Sequence, residues 1–534
     1  MSNGADNDQA GIPPPPAVTA WRPSHNPWLV ALAVILPTFM EVLDTTIVTV
    51  SLNHMAGSLS ATSEEATWVV TSYLISNAII LPASGWLASF FGRKRFLMTC
   101  VGIFTVSSFL CGCSTSLAML IAARVLQGAG GGALQPLSQA ILMESFPPQK
   151  RGMAMAAFGL GVVIAPVLGP TLGGWITDNY TWPWIFYINI PAGLFALYII
   201  NRIIEDPPYI RAAKPGTIDG MGFGLMALWL GTLQIVLDKG QQEDWFASDW
   251  ITGMFMVSSV AMAAFVAWEL WGTPHPIVNL RVLKDRNFAV GTILIGAVGV
   301  VLYSTLTIQP LFLQTIMGYS AFDTGLTVSP RGLASLMAMP LSGFLVSRVD
   351  TRKLVLFGFV LFGAGCFELQ RMSLEMSQSS VILPNVLQGF AMAFIFVPIT
   401  VTAVSHLSQS VMGNATGIFN LSRNLGGSIG ISLVTTFLMR NTQVQQAQMV
   451  AHLTPYDTGY VMRLGQASRV FETYFGHANA PQKALGAIYG TMVQQSALVA
   501  FSNCFHVLGI VTLGGIALTL LLRKAKPHGP MSAH

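Results

Sequence analysis

Charge is what this sequence has least of. Asp, Glu, Lys and Arg make up only 9% of its 534 residues, against about 25% in ordinary soluble domains. Hydrophobic residues make up 52%. A soluble chain of this length needs far more charge to cover its surface, whereas a membrane protein has lipid for solvent over most of it. The composition therefore argues against a soluble enzyme, a nucleic-acid binder and a disordered scaffold. Cysteine is scarce too: Cys100, Cys111, Cys113, Cys366 and Cys504 all fall in or at the ends of apolar segments. They suggest no disulfide framework, and Cys111 and Cys113 lack the second pair that a zinc site needs. They read as small packing residues. A Walker loop, a GxSxG elbow and an HExxH helix are all missing. The nine histidines show no ligand spacing. No metal or cofactor is expected, and an ion gradient rather than ATP must supply any energy.

Long apolar runs are abundant. Stretches of about 20 residues, the length that crosses a bilayer as a helix, cover 27–50, 66–88, 96–114, 117–142, 153–176, 185–203, 217–237, 250–271, 288–313, 322–346, 354–372, 380–405, 414–438 and 496–522. This predicts an all-α membrane protein with fourteen transmembrane helices. Residues 1–26 are polar and proline-rich and read as a disordered cytoplasmic tail, and 523–534 read as a cytoplasmic tail at the other end. The first apolar run lacks a basic leader and a cleavage site, so it reads as a retained helix.

Basic residues set the orientation. With the N-terminus inside, eighteen Lys and Arg fall in inside segments, among them Arg93, Lys94 and Arg95, Lys150 and Arg151, and Arg348, Arg352 and Lys353. The short outside loops hold only Lys239 and Arg371. That contrast predicts both termini in the cytoplasm.

The chain also repeats itself. Residues 82–96, PASGWLASFFGRKRF, resemble 340–354, PLSGFLVSRVDTRKL, and the Val125–Gly128 run VLQG recurs at Val386–Gly389. Gly152 and Phe158 match Gly413 and Phe419. Both copies run in the same membrane direction, so the repeat is parallel. The expected organisation is a six-helix half at 27–203, two extra helices at 217–271 without a counterpart, and a second half at 288–522. Two such halves predict alternating access around a central site. The bland alternative is a duplicated bundle that transports nothing.

Four stretches carry chemistry. Glu41 and Asp44 are three apart on the first span, so they share a helical face. Two carboxylates in hydrocarbon repel each other and lose hydration, which favours holding a proton. Arg124 lies inside the fourth span, where a charge demands a partner. Asp44 and Arg124 both fall roughly 7 Å outside the midplane at a rise of about 1.5 Å per residue, so depth allows them to meet. The second copy has Asn385 where the first has Arg124. On the fifth span, Gly159 to Gly174 holds Pro166, Gly169, Pro170, Gly173 and Gly174. Small residues permit close helix approach and proline permits a kink. Between the second and third spans lies GWLASFFGRKR, with Gly85, Gly92 and Arg93.

These stretches, with MEVLDTTIVTVSLNHMAG, LQIVLDKGQQEDWF, WPWIFYINIPAG and NLSRNLGGSIG, resemble the major facilitator superfamily in its fourteen-helix drug:proton antiporter branch of EmrB/QacA type. The resemblance covers nearly the whole chain. It implies the major facilitator fold, two parallel six-helix halves plus two extra central helices. It implies proton-coupled export of hydrophobic or amphipathic compounds, multidrug efflux, across a bacterial inner membrane. Asp44 is then the proton carrier with Arg124 beside it, and Glu41 either shares the proton or binds a cationic substrate. The glycine–proline segment of the fifth span corresponds to the motif associated with exporters. The Gly85–Arg95 loop corresponds to one that latches the halves, although Ser89 and Ser347 stand where that family usually has Asp. Anchoring by positive charge explains Arg93 to Arg95 equally well.

Arg331, Arg423, Gln127 and Asn385 are candidates for the substrate pore. Glu368 is expected to pair locally with Arg371, and Glu269 has no assigned role. The 25 methionines suit an adaptable apolar pocket, but most read as lipid-facing filler. The polar segment 439–495 either docks a periplasmic adaptor (membrane fusion) protein, which the resemblance implies together with an outer-membrane channel, or caps the pore. Two rivals stand beside multidrug export. One is an exporter of a single endogenous metabolite such as a fatty acid or siderophore. The other is a membrane scaffold or sensor that transports nothing.

Overall fold

The computed structural model describes residues 24–207, 219–477 and 479–522. The tails at 1–23 and 523–534, and with them Arg22, Arg523, Lys524 and Lys526, lie outside the described residues, as do Arg211 and Lys214. The described chain is helical. In order the helices are α1 (Pro27–Ser58), α2 (Ser63–Ala66), α3 (Trp68–Phe91), α4 (Arg93–Gly112), α5 (Leu117–Gly131), α6 (Leu134–Ser145), α7 (Arg151–Asn179), α8 (Trp184–Tyr187), α9 (Asn189–Ile203), α10 (Gly220–Lys239), α11 (Asp249–Ala267), α12 (Arg286–Thr315), α13 (Ala321–Leu345), α14 (Thr351–Leu369), α15 (Gln378–Val404), α16 (Met412–Val450), α17 (Thr458–Phe475) and α18 (Ala480–Thr519).

Their boundaries follow local chemistry. Asn26 caps α1 ahead of Pro27, and Asp285, Ser320 and Asp457 cap α12, α13 and α17 by accepting from backbone N–H groups. Gly92, at φ +86°, ends α3 and starts α4, a conformation that disfavours any side chain. The fourth predicted span is interrupted at 132–133 into α5 and α6. Around that break a Cβ on Gly132 would lie 2.5 Å from the carbonyl oxygen of Asn77, and one on Gly130 2.8 Å from that of Cys100. The glycines thus bring α5 against α3 and α4.

Helices occupy all fourteen predicted positions. Among the described residues, however, eleven helical segments are long and apolar enough to cross a membrane on those grounds alone. The other three are α13, α14 and α16. Arg331 and Arg423, with their polar neighbours, lower the hydropathy of α13 and α16, and these arginines are buried in protein rather than in lipid. α14 is short, and Arg352, Lys353 and Glu368 near its ends leave it without an uncharged run of membrane-crossing length. Elsewhere the outer surface is apolar: Leu32, Val106, Val260, Met337 and Leu433 are all exposed, as lipid as a solvent allows.

The same packing pattern occurs twice. In a first group, α1 to α9, α1 packs on α7 and α9, α3 on α5, and α4 on α5 and α9. In a second group, α12 to α18, α12 packs on α16 and α18, α13 on α15, and α14 on α15 and α18. The two groups meet through α7 on α13 and α16 on α3. α10 and α11 form a hairpin against α3. It also reaches α16, where Gln234 accepts from Ser428 at 3.1 Å and Trp245 Nε1 donates to Thr436 at 3.0 Å. Asp238 accepts from Thr71, and Lys239 donates to Thr67. The hairpin thus ties both groups together at the face opposite the basic loops. α16 and α18 run well past their apolar stretches, and α17 packs against α18. The 439–495 segment is therefore built largely of helix.

Candidate functional site

α1 carries Glu41 and Asp44 into the interior, where both are buried. Asp44 Oδ2 accepts from Arg124 Nη1 at 2.6 Å, and Oδ1 accepts from Gln127 Nε2 and Asn189 Nδ2, each at 3.0 Å. Arg124 also donates through Nε to the Val69 carbonyl at 3.1 Å and through Nη1 to Gln127 Oε1 at 2.6 Å. Its guanidinium lies 4.1 Å from the centre of the Tyr73 ring. A buried ion pair holds only when hydrogen bonds meet its remaining lone pairs and protons, and here α3, α5 and α9 supply them. Only Nη2 of Arg124 lacks a partner among the described residues.

Glu41 occupies an adjoining nest without a direct cation. Gln135 Nε2 donates to it at 2.7 Å, Asn77 Nδ2 at 3.1 Å and the Tyr73 hydroxyl at 3.4 Å. Tyr73 therefore touches both carboxylate nests, with its ring on Arg124 and its hydroxyl on Glu41. Gln135 continues the chain of contacts, because its Oε1 accepts from Arg423 of α16. Nearby, Asn420 Nδ2 donates to Gln139 Oε1 at 2.6 Å. Both glutamines are on α6, so these bonds join the first group of helices to the second.

The second group lacks such carboxylates: α12, which packs as α1 does, contains no Asp or Glu. Arg331 on α13 donates instead to Gln309 Oε1 at 2.7 Å and to Gln388 Oε1. A cavity of about 20 Å³ between the two groups is walled by Val162, Pro166, Leu302, Phe396, Arg331 and Arg423, among others.

The other sequence candidates fall at distinct places. Gln127 belongs to the Asp44 nest. Asn385 donates to the Val381 carbonyl of its own helix at 2.9 Å and lies off the cavity wall. Gly85 and Gly152 hold the basic ends of the two groups together. A Cβ on Gly85 would lie 2.5 Å from Asn414 N, and one on Gly152 2.5 Å from Gly343 O. Gly85 corresponds to Gly343 in the repeat, and Gly152 to Gly413, so the two contacts are related by the duplication. Arg93 pairs with Glu144 of its own group, with Nη2 at 2.8 Å from Oε1. A Cβ on Gly173 would meet Ile47 Cγ1 at 2.8 Å, and one on Gly169 would strike Thr46, so this face of α7 is fitted to α1. Pro170 is partly buried and Gly174 buried on the same helix. Glu368 and Arg371 pair at 3.2 Å on the surface. Glu269 sits buried in a π-helical turn, accepting from Val278 N at 3.3 Å.

Sequence reasoning missed Tyr73, Asn77, Gln135, Gln139, Asn189 and Gln309. Each is an uncharged polar residue inside an apolar span. The available signal was Gln127, Gln135 and Gln139 in a single span. Among the described residues no group of three or more His, Cys, Asp or Glu is placed to hold a metal.

Residues 34–431 match the family model described as Major Facilitator Superfamily. The multidrug export protein EmrB of Haemophilus influenzae is 40% identical over 80% of this chain and 84% of its own. The fatty acid resistance protein FarB of Neisseria gonorrhoeae is 36% identical over 89% of this chain and 92% of its own. Among solved structures, the proton:xylose symporter XylE shares the fold at 16% identity, with a TM-score of 0.57 over 88% of this chain and 94% of that one. The chain thus belongs to the Major Facilitator Superfamily, as a multi-pass membrane transporter and not an enzyme.

Proposed function

We propose that this protein is a proton-coupled multidrug exporter of the bacterial inner membrane. It crosses the membrane fourteen times with both termini in the cytoplasm, in two six-helix halves at 27–203 and 288–522 around the extra pair at 217–271. The relatives named as multidrug export proteins support the substrate class. The observation that carries proton coupling is the Asp44–Arg124 pair, sealed from solvent yet one tyrosine away from a second buried carboxylate, Glu41. Asp44, with Glu41, exchanges a proton. When Asp44 takes it, the attraction to Arg124 weakens and the nest can rearrange. Gln127 orients the carboxylate, and Arg331 and Arg423 face substrate.

The glycine contacts Gly85–Gly413 and Gly152–Gly343 close the cytoplasmic end, with Gly92 and Arg93 shaping the loop beside them. Pro166, Gly169, Pro170, Gly173 and Gly174 let α7 slide and bend against α1. The 439–495 helices extend into the periplasm and dock an adaptor protein that leads to an outer-membrane channel. Everted membrane vesicles test the core of this reading. An imposed gradient, acid inside, should drive uptake of a lipophilic dye, and a protonophore should abolish it. Wild-type uptake that ignores the gradient would refute proton coupling.

A further inference from the structure

Arg331 and Arg423 differ from Arg124 in what they face. Arg124 has its carboxylate. Arg331 and Arg423 are 1% and 2% exposed, and they donate to neutral glutamine oxygens: Gln309 and Gln388 for one, Gln135 for the other. Each keeps Nε and Nη1 without a partner among the described residues. Both line the same cavity between the two groups of helices. A guanidinium stays charged in a protein, and burying it without a carboxylate in direct contact is costly; Arg423 reaches Glu41 only across Gln135.

The duplication shows that the fold itself does not demand these charges. By the offset between 82–96 and 340–354, Arg331 stands where the first copy has Tyr73. In the first copy α1 supplies the carboxylate; in the second, α12 has none to supply. Apart from Tyr303, the rest of the cavity wall is apolar, with Val162, Val298, Leu302 and Phe396 beside the arginines.

We propose that Arg331 and Arg423 form an anion subsite, which binds the acidic group of an amphiphilic organic anion while its apolar body lies against that wall. The inference rests on the cavity being the transport site and names its preferred substrate class. A carboxylate matches the guanidinium fork with two parallel N–H donors. In the present closed arrangement the cavity has room for about one water. A ligand of that class enters as the two groups separate, since α7 walls one side and α12, α13, α15 and α16 the other. Occupation would draw Arg423 toward the ligand and away from Gln135, and so loosen a contact of Glu41.

The test is binding to the purified full-length protein in lipid nanodiscs, with three probes of one chain length: decanoate, decanamide and decylammonium. Decanoate should bind about ten-fold tighter than the amide or more, as charge-assisted hydrogen bonds predict, with decylammonium the weakest. Arg331→Gln and Arg423→Gln should each abolish the preference, and Arg423→Lys should restore part of it. The wild-type comparison alone is decisive if the variants misfold. Equal binding of the three probes, or a preference that survives both glutamine variants, would overturn the proposal. Gradient-driven export of a neutral dye alongside equal probe binding would leave proton-coupled export standing and remove only the anion subsite. Arginine-dependent decanoate binding without any gradient-driven flux would do the reverse.

Discussion

Glu41 and Arg423 share one glutamine: Arg423 donates to the side-chain oxygen of Gln135, and the amide of Gln135 donates to Glu41 at 2.7 Å. One residue on α6 thereby connects a buried carboxylate of the first group of helices with a buried cation of the second. A polar bridge of this kind is lost as a unit, because neither partner can meet water where it stands.

Gln135→Leu should therefore disconnect the two. Substrate should still bind, but its addition should no longer change the protonation of the purified protein. Binding and proton release measured on the same preparation check this. Unaltered release would remove Gln135 from the coupling path.

Removing one member of the Asp44–Arg124 pair leaves the other charge buried alone. Arg124→Gln should cost about 3–5 kcal/mol of stability, the range for breaking a buried pair by removing one partner. The double variant Asp44→Asn, Arg124→Gln should recover much of that loss, because no lone charge remains, yet should not transport. Thermal unfolding in detergent together with vesicle flux separates the two effects.

At the basic face the two groups of helices touch backbone to backbone, at Gly85–Gly413 and at Gly152–Gly343. Gly85→Val should cost about 1–3 kcal/mol as overpacking and should shift the protein toward the state open at that face. Alkylation of a cysteine placed at Asn414 should rise in the variant. Unchanged labelling would mean that the contact does not hold the gate.

The hairpin of α10 and α11 bridges α3 and α16 through side chains outside both carboxylate nests. Trp245→Phe and Gln234→Leu should each cost about 0.5–1.5 kcal/mol, the worth of one hydrogen bond, and should leave the dependence on the proton gradient intact. A variant that folds and transports without a gradient would give this hairpin a coupling role instead of a bracing one.

The parts of this structure that were readable in the sequence are those where charge or hydropathy is extreme. Asp44 and Arg124 are ions in apolar spans, and two helices running in opposite directions put them level, so their contact could be foreseen. The glycines of the two repeats were visible as repeats, but that each meets the other copy's partner depends on the two groups packing face to face. Tyr73, Gln135 and Asn189 could not be singled out, because an uncharged polar residue in a helix tolerates lipid, protein or water. The break between α5 and α6 was hidden as well: the predicted span runs unbroken over 117–142, and only the approach of α3 and α4 shows what Gly130 and Gly132 admit. The fall in hydropathy over 439–495 marks where the apolar runs end but not where helix ends: α16 and α18 continue, since an α-helix satisfies its own backbone in water as in lipid.

The central claim is that Asp44 gives up a proton when substrate binds. The direct measurement is proton release from the purified protein in weakly buffered detergent, followed with a pH-indicating dye as substrate is added. Wild type should release protons in proportion to bound substrate, and Asp44→Asn should release none while still binding. Equal release from Asp44→Asn at equal occupancy would contradict the account.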